Sequence, residues 1–179
     1  MTVTDVNVVK SAIFERPDDA NKGTLGSLLC VCGSYGMAGA AVMSAKGALR
    51  TGIGLAKCAL PRSIYPIVAQ TILESVYYPL SENADGRISK VNVPFLVSES
   101  CKSSATLVGC GLGVCDDTLK IVFSLIENST TPLVLDADAL NCVAKQPEIL
   151  LRKKAPIIIT PHPGEMSRLT GLATPLVNA

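Results

Sequence analysis

Neither sign of charge is in excess in this 179-residue sequence: 16 Lys and Arg face 15 Asp and Glu, a net charge of +1. Without a basic surplus or a basic-aromatic cluster, the electrostatic footprint of a nucleic-acid binder is missing. No apolar run approaches the roughly 18–20 residues that a membrane span needs. The opening MTVTDVNVVKSAIFERPDD lacks the basic-then-apolar order of a secretory signal, so a cytoplasmic location is expected. Histidine occurs once, at position 162. Seven cysteines include the C-x-C pair Cys30 and Cys32, but the second fixed pair that a structural zinc site requires is absent. Set in runs such as LLCVCG and LAKCAL, the cysteines read as small buried hydrophobes in a reducing compartment, and no metal ligand is expected among them.

What is present is a globular composition, 48% hydrophobic and 17% charged, long enough for one domain over residues 1–179. Apolar β-rich runs occur at 27–33, 54–60, 74–80, 105–111, 131–137 and 155–161. Five of the six are continuous rather than alternating, which predicts strands buried on both faces of a parallel sheet. Helical stretches alternate with them: MAGAAVMSAKGALRTG, then DDTLKIVFSLIENS with its leading carboxylates, then DALNCVAKQPEILLRK, which Pro147 must break or restart. SESCKSS (98–104) reads as a polar surface connection, and Asp85-Gly86 as a turn. The βαβα order predicts an α/β layered domain with a mainly parallel central sheet.

Ligands of open parallel sheets bind beyond the carboxyl ends of the strands. There, CGSYGMAGAA places Gly33, Gly36 and Gly39 before a helix, a loop able to let the backbone approach an anion. Tight turning and helix packing explain such glycines equally well. The spacing is G-x-x-G-x-x-G, and the next run ends in Leu60-Pro61 with no acidic residue for a ribose hydroxyl, so an ordinary Rossmann dehydrogenase is disfavoured. The fourth run ends in GCGLG (109–113); the fifth in LDADALN, with Asp136, Asp138 and Asn141; the sixth in TPHPGE, with His162 and Glu165. Asp136 follows an apolar run, so it needs a buried donor. Asp138 also suits a helix N-cap, and Glu165 the first turn of a helix.

Taken in order, NKGTLGSLLCVCGSYGMAGAAVMSAKGALRTGIGL, GCGLG, PLVLDADALN and TPHPGEMSRLTG resemble the ADP/ATP-dependent NAD(P)H-hydrate dehydratases, the YjeF C-terminal-domain proteins of ribokinase-like fold, over roughly residues 20–172. The resemblance implies a three-layer sandwich that repairs hydrated NADH and NADPH, with ADP or ATP as phosphate donor and Mg²⁺. Residue by residue it implies catalytic work at Asp138 and His162. It implies contact with the hydrated nicotinamide at Gly39, Ala40, Gly111, Asn141 and His162, and with the nucleotide at Lys22, Gly33 and Gly36. Homo-oligomers are expected, with hydrated NAD(P)H and an adenine nucleotide as small-molecule partners. Two departures stand out: Cys110 occupies a place where the family has proline, and no GSGD-type motif occurs in residues 1–179. The C-terminal strands of the family fold are therefore expected to be absent, leaving an unpaired apolar sheet edge that promotes self-association. Two alternatives stay open: a ribokinase-like kinase of hydroxymethylpyrimidine or hydroxyethylthiazole type, and a remnant that binds nucleotide without turnover.

Overall fold

The computed structural model describes residues 18–20 and 23–177. Six strands form one all-parallel sheet: β1 (Ser27–Val31), β2 (Leu55–Pro61), β3 (Val76–Leu80), β4 (Ala105–Val108), β5 (Leu133–Leu135) and β6 (Ile157–Ile159), in the order β3-β2-β1-β4-β5-β6. The helices are α1 (Ala38–Arg50), α2 (Tyr65–Thr71), α3 (Val93–Cys101), α4 (Asp116–Asn128), α5 (Asp138–Val143), α6 (Pro163–Thr170) and α7 (Thr174–Val177). The chain winds outward from β1 to β3, then returns to the other side of β1 to place β4. The strand order thus reverses between β1 and β4, the position at which open α/β sheets leave a crevice for a ligand.

Alternation along β1 sends its side chains to two separate cores. Leu29 and Val31 join Val108, Leu133 and Leu135 against Leu96 of α3, Ile121, Val122 and Leu125 of α4, and Leu140 of α5. Cys30 and Cys32 face the opposite side with Cys58 and Leu60, covered by Ala41 and Ala45 of α1 and by Val68 of α2. The small residues at one-turn spacing let α1 sit close on the sheet, and the cysteines fill what remains. Each fully buried Leu or Ile contributes about 1.5–3 kcal/mol of transfer free energy.

Strands β1, β4, β5 and β6 end before their apolar runs do, because the last residues of those runs leave the sheet, whereas β2 and β3 reach the end of theirs. Gly33, Gly109 and Gly111 all take positive φ, and Pro161 has no N–H to donate. Pro147 does restart the chain, as a 3₁₀ turn over Pro147–Arg152 after α5 stops at Val143. SESCKSS requires correction: residues 98–101 complete α3, and Ser100 and Ser103 are buried. The Ser100 hydroxyl is 2.9 Å from Thr106 Oγ1 and 2.7 Å from Ser129 Oγ, so hydroxyls that look like surface in the sequence satisfy one another inside.

At the β6 edge the packing thins. Ile158 is 59% and Ile159 37% exposed. The opposite edge strand, β3, carries Pro79, which blunts it.

Candidate functional site

At the carboxyl ends of β1, β4, β5 and β6 the backbone ladder continues into loops. Gly109 N–H donates to Val31 O at 3.2 Å, Asp136 N–H to Val108 O at 3.1 Å, and Thr160 N–H to Leu135 O at 3.2 Å. These bonds set the loops side by side. Gly109 is required where it stands: its φ is +125°, and a Cβ there would lie 1.9 Å from Asp136 O. Gly111 presses on α1 in the same way, with a Cβ position 2.6 Å from Ala40 Cβ, while its carbonyl accepts from Ser34 Oγ at 2.8 Å.

Two carboxylates flank Ala137, the one non-glycine residue with positive φ among the described residues. Asp136 finds the donors its position demands: Thr160 Oγ1 at 2.8 Å and the Cys110 thiol at 3.2 Å. Asp138 opens α5 and accepts from Gly113 N–H at 2.8 Å and from Asn141 Nδ2 at 3.2 Å. Arg168 Nε of α6 donates to Asn141 Oδ1 at 2.8 Å, extending the chain of contacts to a third element. Asp138 is therefore a first-turn carboxylate that ties two loops together, rather than a side-chain N-cap; Ala137 holds the cap position.

His162 is the N-cap of α6. Its Nδ1 accepts from Gly164 N–H at 3.0 Å, Nε2 lies 3.2 Å from Glu165 Oε1, and Glu165 Oε2 accepts the His162 backbone N–H at 3.0 Å. The network assigns the proton to Nε2 and makes Glu165, 6% exposed, the reciprocal member of a capping box. Among the described residues no hydrogen bond joins His162 to Asp138. The ring itself is 61% exposed, so its face remains available.

The glycine loop divides in its roles. Gly33 is buried, donates its N–H to Cys110 O at 2.9 Å and leaves no room for a Cβ beside Ile64, so it serves packing. Gly36 and Gly39 are open, with nothing within 4 Å of an added Cβ. Among the described residues the N–H groups of Ala38 and Gly39, at the start of α1, have no acceptor. Met37 provides no cap, and no acid occupies the first turn of α1. The helices after β4, β5 and β6 all carry Asp or Glu in that turn. Within this group α1 is the N-terminus that suits an anion. Exposed Tyr35 and Met37 stand on the same loop.

Lys22 lies outside the described residues. Sequence reasoning missed Arg168, which resembles an ordinary C-terminal helix cation, and missed that Cys110 is a partner of Asp136. An open depression of about 400 Å³ is lined by Val114, Asn141, Ala144, Lys145 and Arg168. Among the described residues no group of three His, Cys, Asp or Glu is arranged to hold a metal ion.

A family model described as NAD(P)H-hydrate dehydratase matches residues 28–178. A bifunctional NAD(P)H-hydrate repair enzyme from Thermofilum pendens is 37% identical over 92% of this chain and 31% of its own length. Among solved structures, the ADP/ATP-dependent NAD(P)H-hydrate dehydratase of Bacillus subtilis, co-crystallised with ATP and Mg²⁺, is 27% identical with a TM-score of 0.74. That match spans 96% of this chain and 57% of the other. A ribokinase-like superfamily protein from Enterococcus faecalis, 20% identical with a TM-score of 0.76 over 91% of this chain and 54% of its own, shares the fold. The chain therefore spans about a third of that curated relative and somewhat over half of the solved structures.

Proposed function

Because this chain belongs to the NAD(P)H-hydrate dehydratase family, matched over residues 28–178, we propose that it takes part in returning hydrated NADH and NADPH to their reduced, unhydrated forms at the expense of a nucleotide. The observation that carries the reading is the arrangement of groups at the switch point of the sheet. An uncapped α1 N-terminus with open Gly36 and Gly39 stands beside Gly111 and Ala40, with Asp138 and Asn141 on the neighbouring strand end. The free N–H groups of Ala38 and Gly39 suit a phosphate oxygen. Gly39 and Ala40 present a backbone wall that a flat ring can approach, and Gly111, buried against Ala40, supports it from behind. Tyr35 and Met37 add apolar surface to it.

In this reading Asp138 and Asn141 orient the polar face of the hydrated ring, and the exposed His162 ring borders it. The phosphate donor, ADP or ATP, supplies the group that turns the ring hydroxyl into a leaving group. Lys22 and Gly36 fall to the nucleotide, whereas Gly33 supports the loop from below. Mg²⁺ enters with the nucleotide phosphates, since the described residues offer no cage of their own. The names of the relatives favour this reaction over the vitamin-precursor kinases. All seven cysteines are free, which supports a reducing, cytoplasmic setting. No helix among the described residues is long and apolar enough to cross a membrane.

The test is a dehydration assay with hydrated NADH and Mg²⁺, supplied with ADP or ATP in separate reactions. Return of the reduced-nicotinamide absorbance is expected; binding of neither the hydrated cofactor nor a nucleotide would overturn the reading. Self-association through the apolar β6 edge belongs to the same proposal. Size-exclusion chromatography should give a species larger than the monomer, and a clean monomer would remove it.

A further inference from the structure

Four cysteines crowd the side of the sheet beneath α1. Cys30, Cys32 and Cys58 are buried there, and half-buried Cys110 packs against them from the GCGLG loop. The backbone fixes which of these can meet. Gly109 N–H donates to Val31 O and Gly33 N–H donates to Cys110 O, so the two bonds bracket Cys32 on one side and Gly109-Cys110 on the other. Across the β1–β4 seam Cys32 therefore faces the Gly109–Cys110 step, one residue off strict register from Cys110, and both cysteines pack on the same side of the sheet. Neighbouring strands run about 4.8 Å apart, within the roughly 4.4–6.8 Å Cα separation that disulfides use.

We infer that Cys110 and Cys32 form an oxidative modification site, in which a hydroperoxide oxidises Cys110 and Cys32 then closes a disulfide across the seam. Cys110 is the sulfur that a small oxidant reaches, since it is half-buried at the cleft while Cys32 is 1% exposed. Cys30 and Cys58 are register partners on β1 and β2, but both are sealed from solvent. Cys101 is exposed, bonded only to Asn128 O through its thiol, and belongs to neither cluster. A hydrogen bond from Cys32, joined by Ser44, draws the Cys110 thiol below its ordinary value against the opposing effects of burial and Asp136. The same contact, with burial, holds Cys32 above its ordinary value. The sulfur that the oxidant reaches is therefore also the one that more readily becomes a thiolate.

The chemistry balances without a further reagent. The Cys110 thiolate attacks one peroxide oxygen, the O–O bond breaks, and the other oxygen leaves as water or alcohol, giving a sulfenic acid. The Cys32 sulfur attacks the Cys110 sulfur, the S–O bond breaks, and hydroxide takes the Cys32 proton to leave as water. Two thiols and one hydroperoxide become one disulfide, with the peroxide reduced. The bond draws the Cys110 sulfur away from Asp136 Oδ2, which loses its thiol donor while Thr160 keeps its hold on Oδ1.

The test treats the full chain carrying Cys101→Ser with equimolar hydrogen peroxide, alkylates the remaining thiols and digests without reduction. A peptide bearing Cys32 joined to one bearing Cys110 is expected, with two alkylatable thiols lost per chain and regained on reduction. In Cys32→Ser the linkage should vanish, and Cys110 should persist as a sulfenic acid trapped by a carbon nucleophile. Cys32→Ala serves if the serine variant fails to fold. Any of three results overturns the inference: Cys110 carried to sulfinic acid with Cys32 still alkylatable, a Cys30–Cys58 linkage instead, or both thiols of the pair unreacted.

Discussion

Gly113 N–H donates to Asp138 Oδ2 at 2.8 Å, so the loop after β4 and the first turn after β5 share one carboxylate. Asn141 Nδ2 donates to the other oxygen of Asp138, and Arg168 Nε donates in turn to Asn141 Oδ1. Asp138→Ala leaves the Gly113 N–H unpaired in a part-buried place, which costs about 1–3 kcal/mol. Asp138→Asn keeps an acceptor for Gly113 but sets one amide against another at Asn141. Thermal unfolding should rank wild type above Asn above Ala. Titration with hydrated NADH should show both variants weakened. Full binding in Asp138→Asn would limit Asp138 to holding loops together.

His162 can be separated into cap and ligand contact. Asn is as good an N-cap as any residue, whereas Ala provides none and costs about 1 kcal/mol. His162→Asn should therefore retain stability, and His162→Ala should lose it. If the exposed ring borders the hydrated nicotinamide, both variants lose affinity alike. Affinity that follows stability across the pair would make His162 a cap alone.

Two glycines of similar appearance in the sequence should respond in opposite ways. Gly109→Ala forces a Cβ onto Asp136 O at a φ of +125° and should cost on the order of 3 kcal/mol or more. Gly39→Ala meets nothing within 4 Å and sits in the first turn of α1, where alanine gains at most the roughly 0.5–1 kcal/mol of a mid-helix site. Yet Gly39→Ala places a methyl on the surface proposed to face the ring. Denaturant unfolding with hydrated-cofactor titration should find it as stable as wild type or more so, and weaker in binding.

Much of this architecture was legible and some was not, for identifiable reasons. The parallel sheet followed from five continuous apolar runs, because a strand covered on both faces has no polar side to show. Helices Tyr65–Thr71 and Val93–Cys101 were missed. Both are short, both have proline as their second residue, and the second ends at Ser100-Cys101, with the burial of Ser100 depending on Thr106 and on Ser129 far away in sequence. The need of Asp136 for a donor could be read from its apolar approach. The donors could not, because Thr160 and Cys110 arrive from β6 and β4, and strand order sets that adjacency. His162 and Glu165 were visible individually; that they cap one helix reciprocally is a statement about three-residue geometry after Pro161.

Glu99 predicts the acid limb of stability. Burial alone would raise its carboxyl, but hydrogen bonds from Lys102 at 3.0 Å and Tyr78 at 3.1 Å, with Lys57 at 3.7 Å, outweigh it and hold Glu99 below its ordinary value near 4.5. A carboxyl with a lowered folded-state value adds stability that is complete above that ordinary value and disappears as pH falls through the folded one. Glu99→Gln should cost about 1 kcal/mol at neutral pH and shrink the difference from wild type below about pH 4. Unfolding at a series of pH values checks it. A difference that grows in acid would reverse the assignment.

Ala137 offers the sharpest separation of strain from function. At φ 48°, ψ −113° an L side chain is strained by about 1–3 kcal/mol, yet the ladder bond from Asp136 N–H to Val108 O and the bond from Asn141 N–H to Ala137 O hold it there. The reversal turns Asp136 toward Thr160 and Cys110 and Asp138 toward Gly113 and Asn141. Glycine adopts this conformation without the Cβ clash, at the cost of greater freedom when unfolded, so Ala137→Gly should be net stabilising by about 1 kcal/mol. If the strain serves to fix the two carboxylates, the same variant binds hydrated NADH less tightly despite its higher melting temperature. A variant that is more stable and equally tight would make the strain incidental to the site, and one that is less stable would mean the turn does not need its positive φ.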